Sequence, residues 1–179
     1  MTTTPYCPLL LLWEQRSVFV GTIKEKIDVS TGASTLMMGL DKPFSFITPG
    51  MEKAIECRSA LIPAGTSVVV DTQGSFFFNC TLGPDGTDLH CLSQRMTKKA
   101  EAIYYQFQSE QDYIKTALSF CTPPLSSKDI LAALNDFFVV NQDVITWPVL
   151  PHGFTDDSRI KRVIEAIQEN ILENVSLTK

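Results

Sequence analysis

Between Pro8 and about Leu92 the chain is a succession of short apolar stretches divided by turn-forming residues, and this feature limits its fold more than any other. The stretches are PLLLLWE, SVFVGTI, ASTLMMGL, PFSFIT, AIECRSALI, TSVVVDT and GSFFFNCTL, with a weaker one from Asp88 to Leu92. Gly32, Pro43, Pro49-Gly50, Pro63-Ala64-Gly65, Gly74 and Gly83-Pro84-Asp85-Gly86 punctuate them; proline presets φ and glycine supplies φ > 0. Helical periodicity is largely absent, so an all-β sandwich or barrel is expected rather than βαβ units. In GSFFFNCTL a period of two places Phe76, Phe78, Cys80 and Leu82 on one face and Phe77, Asn79 and Thr81 on the other. The first set is expected to face the barrel interior.

After about Ser93 the pattern becomes helical. In SEQDYIKTALSFC, Tyr113, Ile114, Ala117, Leu118 and Cys121 form one stripe, which Pro123-Pro124 end because proline cannot continue a helix. Ser126 can cap the next helix, SSKDILAALNDFFVV, whose apolar face is Ile130, Leu131, Leu134, Phe137 and Phe138. The two helices are expected to form an antiparallel pair. NQDVITWPVLPHGFTDD, with two prolines and a glycine, reads as a linker. A last helix from Asp157 to about Glu173 aligns Ile160, Val163, Ile164, Ile167 and Ile171, a stripe that needs a partner surface.

The chain of 179 residues fits one domain with an appendage or two small ones, and its 44% hydrophobic content suffices for a packed core. Fifteen Lys and Arg against 20 Asp and Glu give a net charge of −5, which argues against binding nucleic acid by bulk charge. The 5 cysteines are odd in number, widely spaced and never CxxC, which fits a reduced, cytoplasmic setting better than a disulfide framework or zinc site. Leu9 to Trp13 is far shorter than a membrane span, and no targeting segment frames it. The 2 histidines, His90 and His152, form neither HxH nor HExxH, so no metal and no cofactor are expected, and both histidines read as surface loop. GxSxG, P-loop and GxGxxG motifs are absent, no carboxylate pair stands out, and Cys80 and Cys91 near His90 read better as structural than as nucleophiles.

What remains is a barrel rich in large apolar side chains. Its interior is either filled by them or leaves room for one small ligand. Core packing is the ordinary role of each such side chain. If a pocket exists, strand alternation and composition place Trp13, Phe19, Met37, Phe46, Arg58, Phe76 and Phe78 around it. Arg58 sits within a strand: turned inward it needs an anionic partner, turned outward it is simply solvated.

Two stretches together resemble the AraC-type transcriptional regulators. RSALIPAGTSVVVDTQGSFFFNCTLGPDGTD is similar to the closing strands of that family's N-terminal cupin-like barrel, with the PAGT turn between strands. TDDSRIKRVIEAIQENILENVSLTK is similar to the opening of its C-terminal DNA-binding domain, with an acidic-Arg-Ile start, a helix, a polar turn and a Ser-Leu pair. The resemblance implies a mainly β plus α fold: a cupin-like barrel (double-stranded β-helix, or jelly roll), then a helical hairpin and a terminal helix. Residues 1–93 are then an effector-sensing barrel, 94–142 a helical dimerisation segment, 143–154 a linker, and 155–179 the first helix of a truncated helix-turn-helix domain.

The resemblance further implies ligand sensing and transcription regulation rather than catalysis, with no catalytic residue to carry over. The partners it implies are a small organic effector, a second copy of the chain in a homodimer, and DNA only through the missing C-terminal domain. Arg159, Lys161 and Arg162 then sit on a scaffold helix and are not base readers. The expected dimer contacts are Tyr113, Leu118, Leu131, Leu134 and Phe138, because two-fold association through paired helices needs a self-complementary stripe. The alternatives are a free-standing cupin-like enzyme using metal-free acid/base groups and a protein-interaction module with a filled barrel.

Overall fold

A computed structural model describes residues 8–13, 16–30, 32–83, 86–121, 128–130 and 132. The chain divides into two compact units, Met1–Val140 and Asn141–Lys179, and the described residues all lie in the first. The expected linker, the terminal helix, Leu131, Leu134 and Phe138 lie outside the described residues.

Eleven strands and two helices are described: β1 (Leu9–Trp13), β2 (Arg16–Thr22), β3 (Ile27–Val29), β4 (Thr35–Gly39), β5 (Phe44–Ile47), β6 (Ile55–Cys57), β7 (Ser59–Ile62), β8 (Val68–Asp71), β9 (Phe76–Thr81), α1 (Thr87–Ser93), β10 (Met96–Ala100), β11 (Ile103–Phe107) and α2 (Glu110–Ser119). One sheet has the order β1-β2-β9-β4-β7-β11-β10 and the other β3-β8-β5-β6. All the pairings are antiparallel. From β2 to β9 the pairs nest: β5 with β6, β4 with β7, β3 with β8 and β2 with β9. This is one long hairpin rolled up so that successive pairs alternate between sheets, a jelly roll or double-stranded β-helix of the cupin-like kind.

Two cores explain the sequence pattern. Between the sheets, Met37, Ala60, Ile62, Phe77 and Ile103 meet Val29, Phe44, Phe46, Cys57, Val68 and Val70. On the outer face of the larger sheet, Val18, Val20, Leu36, Met38, Leu61, Phe78 and Cys80 pack under Leu92 of α1, Ile114 and Ala117 of α2, and Phe120, Cys121 and Ile130. The larger sheet is therefore covered on both faces, and all five residues of β4 are buried. The smaller sheet has a solvated face and keeps the alternation: Val68 and Val70 are buried and Val69 is exposed.

The structure corrects the expected facing of β9. Phe78, Cys80 and Leu82 lie in the helix-covered core, with Phe76 packed against it, while Phe77 from the opposite set fills the barrel interior. Both faces are apolar, so the period of two separates the sets without saying which faces inward. The stretch after Ser93, expected to be helical, also begins with strands. Met96–Ala100 and Ile103–Phe107 form a hairpin on the edge of the larger sheet, joined by a two-residue turn with Glu101 at φ 51. Asp88 to Leu92, expected as a weak strand, belongs to α1: half-buried Leu89 and buried Leu92 are three apart, a helical spacing. The stripe of SEQDYIKTALSFC is present as expected, with Ile114, Ala117 and Cys121 buried and Tyr113 and Leu118 packed against the same core.

Candidate functional site

Cross-strand register determines which side chains meet on the inner face of the larger sheet. Phe19 opposes Asn79, Asn79 opposes Met37, Met37 opposes Ala60, and Ala60 opposes Tyr105. These five side chains form one row, with Cβ atoms of neighbours about 4.5–5.5 Å apart. Its middle is sealed: Met37 is 2% and Ala60 0% exposed. Its flanks are half-buried, with Phe19 and Asn79 on one side and Tyr105 on the other. The Tyr105 ring meets Phe46 edge-on at 5.8 Å, and the Lys98 ammonium stands 6.0 Å from the ring centroid.

The next row of the same face runs through Ser17, Thr81, Thr35 and Ile62. Ser17 and Thr81 are half-buried, so both rows are partly accessible on the side of β1 and β2. The Phe19 ring lies along its own strand above Gly21, where a Cβ would sit 2.6 Å from Phe19 Cζ. Glycine at position 21 thus lets the ring lie flat. The side-chain amide of Asn79 and the hydroxyls of Ser17 and Thr81 hydrogen-bond to no described protein group, while Thr35 Oγ1 donates weakly to the Ala33 carbonyl at 3.4 Å. The half-buried part of the inner face therefore offers aromatic rings, an amide and hydroxyls. The five-residue row carries no carboxylate or imidazole.

The residues expected around a pocket divide between the two cores. Met37 and Phe46 are buried between the sheets and Phe19 borders the same space. Phe78 is buried under the helices with Phe76 packed nearby, so neither lines the interior. Trp13 belongs to β1, and its side chain lies outside the described residues. Arg58 is neither inward with an anionic partner nor merely solvated. It sits at the bend between β6 and β7, and its Nε and Nη2 donate to the Gly39 carbonyl at 3.1 and 3.0 Å, with Nη2 also donating to the Leu40 carbonyl. It ties down the end of β4.

Among the expected dimer residues, Tyr113 stacks on Phe107 at 4.5 Å and accepts a hydrogen bond from Arg95, and Leu118 packs on the helix-covered core. Both face the chain's own body. Asn79, Ser17, Thr81 and Tyr105 were not singled out from sequence. The available signal was the pair of polar residues alternating with Phe77, which becomes informative only once Phe77 is known to face inward.

Two other polar clusters join elements of the fold. Asp88, 7% exposed, accepts from Arg16 Nε at 2.6 Å, Arg16 Nη2 at 2.7 Å and the Gly83 amide at 3.1 Å, holding α1 to the start of β2. Buried Ser59 donates to Glu110 at 2.5 Å and accepts from the Phe107 amide, fixing the start of α2. Burial raises the Cys80 thiol to about 12, with Asp88 adding to the shift and Arg16 opposing it; Cys57 is pushed up by burial, Glu110 and Glu56. Both thiols stay protonated and inert at neutral pH. Exposed His90 interacts with Gln94 on the surface of α1. Among the described residues, no three or more His, Cys, Asp or Glu side chains come together as a metal site, and no helix is long and apolar enough to cross a membrane.

No protein-family model matches the chain, and no curated protein matches it. Among solved structures it is similar to a cupin-2 domain containing protein from Shewanella frigidimarina, with 6% identity over 46% of this chain and 84% of that one and a TM-score of 0.36. A cupin superfamily protein from Desulfitobacterium hafniense has 15% identity over 46% and 82%, with a TM-score of 0.35. An RmlC-like cupin family protein with a double-stranded β-helix fold from Methanocaldococcus jannaschii has 7% identity over 46% and 86%, also with a TM-score of 0.35.

Proposed function

We propose that the chain is the effector-sensing and dimerisation portion of an AraC-type transcriptional regulator. It acts in the cytoplasm as a homodimer, binds a small organic effector without metal or cofactor, and engages DNA only through helices beyond Lys179 in the full-length gene product. The sensor reading rests on the half-buried flank of the inner row, where the Asn79 amide, without a hydrogen bond to another described residue, lies between Phe19 and Met37. An apolar body with a hydrogen-bonding edge suits that surface. The row supplies no acid/base pair, which favours binding over conversion. The regulator reading rests on the order of segments in the sequence: barrel, helices, proline-containing linker and the DSRI helix. Effector binding would act by shifting the population between two arrangements of sensor and DNA-binding domain.

A thermal-shift screen of small organic molecules against the chain tests the sensor reading. A true ligand at a hundred times its Kd stabilises the fold by about 2.7 kcal/mol. Asn79→Leu and Phe19→Ala should abolish that gain while leaving the fold intact, whereas Phe76→Leu, on the other face, should preserve it. Ligands that stabilise the Asn79 and Phe19 variants fully, or that the chain converts to product, contradict the proposal.

A further inference from the structure

Four strands form the edges of the two described sheets: β1 and β10 of the larger, β3 and β6 of the smaller. An edge strand leaves a row of backbone donors and acceptors open to another strand, and a charge at its centre discourages such pairing. Three of the four carry that charge, all exposed: Lys98 at the centre of β10, Asp28 of β3 and Glu56 of β6. A two-fold axis through any of these centres would oppose the charge to its own copy. The fourth, β1, is LLLLW and has no charge along its five residues. It is already extended by a complete register with β2 from Leu9↔Val20 to Trp13↔Arg16. Its outer edge has no partner strand among the described residues.

The exposed side chains of β1 identify the occupant. Leu10 and Leu12, 67% and 77% exposed, are two of the three large hydrophobics described as exposed. They flank Leu11, the central residue of the strand, and share the inner face with Phe19 and Ser17, the residues they oppose. An antiparallel copy of the same strand, related by a two-fold axis at Leu11, sets Leu10 against Leu12 of the partner subunit and Leu12 against Leu10 of the partner subunit. That exchange is what an isologous interface requires. Each copy carries a net charge of −5, which opposes association on any face, and β1 adds no like-charge contact of its own to that repulsion.

We infer that β1 is a self-association strand, pairing antiparallel with β1 of a second copy so that two seven-stranded sheets become continuous. This surface is separate from the helices assigned to dimerisation above, and it adjoins the open side of the inner face at Phe19 and Ser17.

The test is the oligomeric state of the full chain by sedimentation equilibrium across a wide concentration range, for the wild type and the double variant Leu10→Lys/Leu12→Lys. Both side chains are exposed, so circular dichroism should be unchanged, as should the urea midpoint at concentrations where both proteins are monomeric. The two-fold pairing sets lysine against lysine, and the dimer dissociation constant should rise about tenfold or more. A cysteine pair reads the geometry independently of that variant: a mixture of Leu10→Cys and Leu12→Cys chains should cross-link on mild oxidation, and neither should do so alone. A wild type that is monomeric throughout overturns the inference, as does an outer edge of β1 covered by a segment of the same chain. So does self-association whose stoichiometry and dissociation constants the double variant leaves unchanged, since all of it would then lie on the helices or another face. Preferential cross-linking of Leu10→Cys to itself overturns the proposed axis.

Discussion

Asp88→Ala removes the acceptor on which α1, β2 and the turn after β9 converge. The carboxylate takes two guanidinium hydrogen bonds, at 2.6 and 2.7 Å, and the Gly83 amide at 3.1 Å, with Asp88 7% and Arg16 22% exposed. Breaking one side of a buried pair costs about 3–5 kcal/mol, because the remaining charge keeps its desolvation penalty without its partner. Arg16 retains some contact with water, which puts the expected loss near the lower bound, at about 3 kcal/mol. Asp88→Asn, which keeps one oxygen, should lose less. Arg16→Met/Asp88→Leu replaces the pair with apolar groups and should recover at least half of the loss, since neither charge is then stranded. Urea denaturation followed by circular dichroism gives the three values, and the single variants Arg16→Met and Asp88→Leu complete the double-mutant cycle that isolates the coupling. A loss below about 1 kcal/mol for Asp88→Ala, or a double variant as unstable as the sum of its singles, refutes the argument that the pair holds α1 in place.

Gly39→Ala should cost about 1–3 kcal/mol, because the new Cβ would lie 2.2 Å from the Lys42 carbonyl oxygen, a backbone atom that cannot step aside cheaply; a urea midpoint equal to wild type rejects this. Phe77→Ala, 0% exposed and edge-on to Phe44 at 5.2 Å, should cost about 3–5 kcal/mol. Half-buried Phe19→Ala should cost only about 1 kcal/mol; equal losses contradict an inner face closed at Phe77 and open at Phe19. Cys80, raised to about 12, holds its proton in the folded state after the unfolded chain has lost it, so its stabilising contribution is complete below the unfolded thiol value and disappears as pH rises toward 12. Each such thiol lowers stability by about 1.4 kcal/mol per pH unit in that window. Cys80→Ala should flatten the alkaline slope by that amount, and an unchanged slope between pH 9 and 11 is the contrary result.

Strand positions were legible because β-branched and aromatic runs between glycines and prolines have few other uses. TSVVVDT became β8 with Val68 and Val70 inside, and PFSFIT became β5 with Phe44 and Phe46 inside. AIECRSALI became two strands, since Arg58 turns the chain from one sheet to the other while its guanidinium holds Gly39 and Leu40. β3 passed unseen because three residues with Asp28 in the middle carry too short a pattern. The β10–β11 hairpin was hidden by its lysines and by a Glu101-Ala102 turn lacking the usual Asn-Gly chemistry. For the site, Phe19, Met37 and Phe46 were named from sequence, but Asn79 and Tyr105 were not. Alternation sorts β9 into two faces, and only the helices on the outer face of the sheet decide which one meets the barrel interior.

The central claim, that this barrel belongs to a DNA-binding regulator, is tested most directly on the full-length gene product. Binding to its own upstream DNA should be measured against scrambled DNA over a range of salt concentrations, with and without a ligand found by thermal shift. The account predicts specific binding about a thousandfold or more tighter than non-specific binding, weakening with added salt, and an occupancy that the ligand changes. Equal affinity for both DNAs, or no binding at low salt, would contradict it.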